Sequence, residues 1–161
     1  MDRSIIEDYA RGGETLALAI RGLTPEDLRC VPAADANVGR WSIQQVVVHL
    51  ADSDLIWTGR MKCIIAEENP TIIGYDESLF AANLHYDEQS AEDAIRLFDL
   101  NRTQFARVLR KLPDAAFART GRHNERGRIT LGESVKMMVE HLDHHVKFIR
   151  AKRAQMGKEM W

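Results

Sequence analysis

The stretch TLGESVKMMVEHLDHHVKFI, Thr130 to Ile149, decides how this chain is read. Thr130 with Glu133 three positions on is a capping box, so a helix starts here. At about 100° per residue, Val135, Met138, Val139, Leu142, Val146 and Ile149 fall on one side as an apolar stripe. His144 lies nearly opposite that stripe and reads as solvated. His141 and His145 stand on its flank, one turn apart and about 40° from each other. This i, i+4 spacing lets two imidazoles reach one ion. The helix therefore needs a core on one side and offers two ring nitrogens at the edge of it.

The same pattern recurs upstream. Ser42 and Gln45 in SIQQ form a second capping box, opening a helix that runs to about Glu68. Its stripe is Ile43, Val46, Val47, Leu50, Trp57, Met61, Ile64 and Ile65, and His49 sits on the flank, about 120° from the centre. Packed side by side, the two helices would gather His49, His141 and His145. Three neutral imidazoles with room for water make an open, reactive site of the Zn²⁺ type. Asp54 points near the centre of its stripe by the same count, and a buried carboxylate needs a partner. It pairs with an arginine elsewhere, acts as a base, or stands behind a ligand imidazole and orients it. A structural or orienting role is expected. It lies on a different face from His49 and is not counted as a ligand.

Further out, a first helix is expected from Ser4 to Leu23, then a short turn or helix with Thr24 as cap and Pro25 at its first position. RCVPAADANVGR, Arg29 to Arg40, reads as loop. The connection Thr71 to Gln89 is long, with a short helix around Glu77 to Asn83 and His85 at the surface. A third helix is capped by Ser90 and ends near Leu112, before Pro113. Pro113 to Ile129 reads as loop with an extended piece, and no strand is expected. Four helices of about 20 residues or more in a chain of this length give an all-α four-helix bundle, one domain over residues 1–161.

Composition excludes several classes. The formal net charge of −2 leaves no electrostatic footprint for nucleic acid. KFIRAKRAQMGK, Lys147 to Lys158, reads as a solvated helix C-terminus. No apolar run is long enough for a membrane span. Cys30 and Cys63 form no CxxC motif, and no secretory h-region follows Met1, so a reducing cytoplasm is expected.

With these residues in view, RWSIQQVVVHLADSD (Arg40 to Asp54) resembles the Trp-Ser-x-x-Glu-x-x-x-His-Leu-x-Asp-x-Glu signature of the DinB/YfiT-like superfamily. RHNERGRITLGESVKMMVEHLDHHVKFI (Arg122 to Ile149) resembles its second signature, and GYDE (Gly74 to Glu77) its middle connection. The resemblance implies a bundle of up-down-down-up order, frequent homodimers, and one divalent ion, Zn²⁺ or Ni²⁺ on the chemistry of imidazole donors, held by His49, His141 and His145. Leu55, Ile56 and Val48 lie outside the stripes and would serve side-to-side dimer packing. His123, in a Gly- and Arg-rich lead-in that would fold over the ion, is a candidate pocket residue and not a ligand. The family's frequent Glu residues are Gln45 and Asp54 here, which weakens any carboxylate base at those positions.

The expected function is a metal-dependent hydrolase that activates water for attack on a small-molecule substrate. Two alternatives share the site. One is a transferase or isomerase using a low-molecular-weight thiol, and the other is a non-enzymatic metal-binding stress-response module. Ligand imidazoles must be neutral, so metal-derived stability is expected above about pH 7 and lost through the ordinary histidine range.

Overall fold

The computed structural model describes residues 2–31, 33 and 38–159, so part of the expected loop between Arg29 and Arg40 (residues 32 and 34–37) lies outside the described residues. The elements are α1 (Ser4–Ala10), α2 (Gly12–Ile20), α3 (Pro25–Arg29), α4 (Ile43–Ala66), β1 (Thr71–Ile72), α5 (Glu77–Asn83), α6 (Ala91–Lys111), a 3₁₀ turn (Asp114–Ala118), β2 (Thr120–His123), β3 (Gly127–Thr130) and α7 (Leu131–Gln155).

Side-chain caps set the long helices. The hydroxyls of Ser42 and Thr130 accept from the backbone N–H groups of Gln45 and Glu133, whose side chains accept the cap N–H in return. Thr24 and Asp27 do the same at α3, and the Ser90 hydroxyl accepts from Asp93 N–H at α6. Each such cap contributes on the order of 1 kcal/mol.

Buried contacts give the chain directions. Arg3 donates to the carbonyls of Arg110 and Leu112, so α1 begins where α6 ends. The Gln44 amide donates to the Asp87 carbonyl just ahead of α6, and Asp54 pairs with Arg102 further along, so α4 and α6 run parallel. Arg119, shortly before α7, donates to the Ile64 carbonyl near the end of α4, so α4 and α7 run antiparallel. Arg3 meets the end of α6, Tyr9 meets Arg102 and Ala19 meets Arg153, so α1 and α2 ascend against α6 and the order is up-down-down-up. The long connection carries the chain back along α4 and thereby allows two successive parallel helices.

Three expectations change. The first helix is two helices, broken at Arg11 ahead of Gly12 and Gly13. A Cβ on Gly12 would meet the Arg102 side chain and one on Gly13 would meet Asp99, so the glycines let this segment lie close against α6. A three-stranded sheet, order β1-β2-β3, stands where no strand was expected. β1 runs parallel to β2, with Ile72 opposite His123, and β2 pairs antiparallel to β3, with His123 opposite Gly127. Strands of two to four residues are too short to show alternation, and the turn rests on Gly127 at φ 72°. The basic end of α7 is not solvated throughout: Lys152 and Arg153 are buried, and the Arg153 guanidinium donates to the carbonyls of Ala19, Arg21 and Lys158.

Among the described residues no helix is long and apolar enough to cross a membrane. The interior holds two apolar clusters. One gathers Ile43, Val47, Leu50, Phe98, Leu142 and Val146, and the other Trp57, Met61, Ile64, Phe105, Leu131 and Met138. Between them, where α4 and α6 pass from one cluster to the other, lie the buried Asp54 and Arg102.

Candidate metal centre

α4 and α7 lie side by side with their histidine flanks facing each other. His49 Nε2 is 3.2 Å from His141 Nε2, and His145 Nε2 is 3.1 Å from the same atom. The three ligand atoms all fall within 4.8 Å of one another. His49 is buried and the α7 pair is half-buried. The tilted Trp41 ring packs on His49 with centroids 5.0 Å apart.

Proton counting shows what this geometry asks for. A neutral imidazole has one N–H donor and one acceptor nitrogen. His141 Nε2 faces two other Nε2 atoms with a single hydrogen or a single lone pair, so one good hydrogen bond is the most the trio can make. A cation among three lone pairs satisfies all three at once. For bonds of about 2.0–2.1 Å, tetrahedral coordination puts nitrogens roughly 3.3 Å apart, close to the spacings seen. Burial, followed by the charge of neighbouring groups, holds all three rings neutral. For His49 the pKa is pushed down to about 3 by burial and then by His145. For His141 it is pushed to about 3 by burial, then His49 and Arg102, and for His145 to about 3 by burial, then His141. Neutral rings are the metal-binding form. Behind the rings, Nδ1 of His49 and Nδ1 of His141 are buried with no hydrogen-bond partner. The carboxylate or carbonyl that often orients a ligand imidazole is missing there.

A cavity of about 190 Å³ opens beside the cluster, lined by His49, His141, Trp57, Arg60, Tyr75 and His123 among others. Glu77, at the start of α5, reaches within 3.8 Å of His49 Nε2 and also lines a second hollow that includes His145 and Trp41. Arg60 lies over the rings of Trp57 and Tyr75, 4.6 Å and 5.6 Å from their centroids, and donates to the Ile73 carbonyl.

Of the residues singled out in the sequence, His49, His141 and His145 come together and His123 lines the adjoining cavity. His144 and His85 are exposed. Asp54 is elsewhere. Its Oδ1 accepts from Arg102 Nε at 2.8 Å, and its Oδ2 accepts from the Asn101 amide at 2.7 Å and the Tyr9 hydroxyl at 3.4 Å. It pairs with an arginine and stands behind no imidazole. Val48 is buried in the chain's own core, so it is not available to a dimer face. Sequence reasoning missed Arg102, Arg60 and Glu77. Arg102 was detectable, since Phe98, Arg102, Phe105 and Leu109 follow the i, i+4, i+7, i+11 rhythm of a buried stripe. Arg60 was detectable too, since it follows His49 and Trp57 on one face of α4, whereas Glu77 had no local signal, because the long connection brings it to the cavity.

A helical bundle that converges three neutral imidazoles on one point beside a cavity defines a class of metal-centred proteins. The chain belongs to the DinB superfamily, whose profile matches residues 9–149. It is 34% identical over 111 residues to a protein of Oceanobacillus iheyensis named by inference as a metal-dependent hydrolase, a match covering 69% of this chain and 64% of that relative. YfiT of Bacillus subtilis, named in the same way, is 31% identical over 120 residues, covering 74% of this chain and 67% of the relative. The YfiT structure, described as an unusual four-helix bundle topology, superposes with a TM-score of 0.87 at 28% identity, over 96% of this chain and 86% of that one. The mycothiol-dependent maleylpyruvate isomerase shares the fold at a TM-score of 0.67 and 10% identity, over 89% and 58% of the two chains.

Proposed function

We propose that this protein is a metal-dependent hydrolase of a small molecule, with one Zn²⁺ or Ni²⁺ held by Nε2 of His49, His141 and His145. The observation that carries the reading is the convergence of three neutral Nε2 atoms, over-supplied with lone pairs, on a point that borders a cavity. A saturated structural site would bring a fourth protein ligand and no adjoining pocket. Here Glu77 stays 3.8 Å from the nearest ring nitrogen. When bound, the ion supplies Lewis acidity and lowers the pKa of a coordinated water toward neutrality. Glu77 is the carboxylate placed to take a proton from water at the open face of the cluster. Trp57, Tyr75 and Arg60 hold substrate against that face, and the cavity limits it to a small molecule. YfiT's inferred activity and the shared fold support the same reaction class.

The test is metal analysis followed by turnover. Purified protein should hold about one divalent ion per chain. Zinc- or nickel-loaded protein should hydrolyse members of an ester and amide panel without added thiol, and Glu77→Gln should lower kcat by about 10²-fold or more. Turnover only with a low-molecular-weight thiol would replace hydrolysis by the transferase or isomerase reading, which uses the same imidazoles. Metal retention without turnover of either kind would leave the non-enzymatic module.

The proposal includes the whole of residues 1–161 as one domain, working in the cytoplasm as a homodimer and binding no nucleic acid. Leu55, 37% exposed on α4, belongs to the face that would be shared. A single species of monomer mass by light scattering at micromolar concentration would remove the dimer.

A further inference from the structure

His123 sits at the end of β2, only 3% exposed, and is not part of the three-histidine cluster. Two backbone N–H groups of the following turn, those of Glu125 and Arg126, donate to its Nδ1 at 3.2 Å and 3.3 Å. A nitrogen that accepts N–H bonds presents a lone pair, so a neutral ring must carry its proton on Nε2. The ring plane is held as well, stacked on Trp57 with centroids 5.8 Å apart and planes 13° from parallel. Trp57 and His123 both line the cavity beside His49 and His141. Burial, then the nearby Arg60 and Arg126 charges acting against Glu125, holds the pKa of this ring below the ordinary histidine value.

A histidine that served only the hairpin would use Nδ1 and nothing else, and an Asn or Asp could cap the turn equally well. The opposite edge of the ring is left over, and it belongs to a side chain whose place in the fold is the cavity wall.

We propose that His123 is a fixed hydrogen-bond donor to substrate, its Nε2–H binding an oxygen of the ligand across the cavity from the three-histidine cluster. The assignment rests on the hydrolase reading for its purpose. A donor at that place binds the acyl oxygen and favours the negative charge that develops there as water adds. It takes no proton from water, because the only basic nitrogen of the ring is occupied by the turn. The ligand class this selects is a small molecule with a carbonyl or acidic oxygen close to the atom under attack.

The test uses the full chain loaded with zinc, with acetohydroxamate as the probe, since it offers a metal-directed group and an acceptor oxygen. Long-range ¹H–¹⁵N NMR should show the His123 proton on Nε2 and a bare Nδ1 across the neutral pH range. His123→Leu should weaken the probe about 10-fold or more, the scale of a hydrogen bond to a charged oxygen. His123→Gln, whose amide supplies both an acceptor and an N–H, should bind within about 3-fold of the parent. Both variants should keep their zinc. A proton on Nδ1 overturns the proposal. So does a His123→Leu variant that binds the probe as tightly as the parent, or a zinc-loaded parent that does not bind it. If the NMR and binding results stand while no ester or amide is turned over, the hydrolase reading falls and the donor remains.

Discussion

Two buried polar groups share the middle of this bundle, and they are built on opposite terms. Asp54 and Arg102 close on each other. Every polar atom of that layer has a use: Arg102 Nε meets the carboxylate, Nη2 donates to the Met138 carbonyl at 2.7 Å, and the guanidinium lies 4.5 Å from the Tyr9 ring centroid and 4.3 Å from that of Phe98. Asn101 and Tyr9 complete the carboxylate, and both also reach Thr58. Only five residues earlier on α4, His49 joins His141 and His145 in a cluster that cannot satisfy itself and keeps two Nδ1 atoms without partners. A satisfied buried network holds helices in register, whereas an unsatisfied one bordering a cavity is held ready for something that is not protein.

The largest effect should come from breaking the closed layer. Arg102→Met leaves the Asp54 carboxylate buried without its cation and should cost about 3–5 kcal/mol in urea or thermal unfolding. The double change Asp54→Leu with Arg102→Met removes both charges and should recover most of that loss. If the double variant is as unstable as the single one, the arginine matters through its carbonyl and aromatic contacts and the pairing account fails.

The same kind of surgery on the open cluster should behave in the opposite way. In metal-free protein His141→Leu removes a ring with an orphaned nitrogen, so stability should change by less than about 1 kcal/mol or rise. Zinc at about 100 times its dissociation constant should stabilise the parent by roughly 2.7 kcal/mol. For a chain of this size that is about 5–11 °C in Tm. His145→Ala should abolish the increment and His144→Ala should leave it intact. Loss of the increment in both would mean that the outward-facing ring also takes part, against its exposure.

The two layers also differ in how well the sequence announces them. The histidines were legible because helix periodicity places His141 and His145 on one flank, and capping boxes at Ser42 and Thr130 set the phase of both helices. Asp54 was legible as an oddity for the same reason, but its partner was not sought on α6, although Arg102 stands in the apolar stripe there. What periodicity cannot reach is the cavity wall. His123 reaches it through a parallel pairing of β1 with β2 and a hairpin closed by Gly127, and Glu77 through the connection that follows β1; that sheet depends on contacts between residues 71–72 and 120–130. Gly12 and Gly13 did carry a signal, a glycine pair inside a helical run, and its meaning lay in the neighbouring Asp99 and Arg102 side chains.

The response to acid separates the two layers most finely. The imidazole pKa is about 6.5 in the unfolded chain and about 3 for each of His49, His141 and His145 in the folded one, lowered first by burial. Above pH about 6.5 both states are neutral and the cluster adds no pH dependence. Below it the unfolded chain takes up protons that the folded cluster refuses, so stability falls with falling pH. The slope is up to about 1.4 kcal/mol per pH unit for each ring that stays neutral, continuing toward pH about 3. Metal-free protein should therefore melt lower at pH ~5 than at pH ~7.5, and His141→Leu should flatten that difference. The zinc increment behaves differently. Protons compete with the ion only where the folded rings titrate, so the increment should be equal at pH ~7.5 and pH ~5 and disappear toward pH ~3. Burial thus moves the loss of metal below the ordinary histidine range in which the sequence alone places it. Melting curves with excess zinc and with chelator at the two higher pH values decide the matter. An increment that collapses by pH ~5 would show rings titrating near their unburied value, and the cluster would then be wetter than its packing against Trp41 implies.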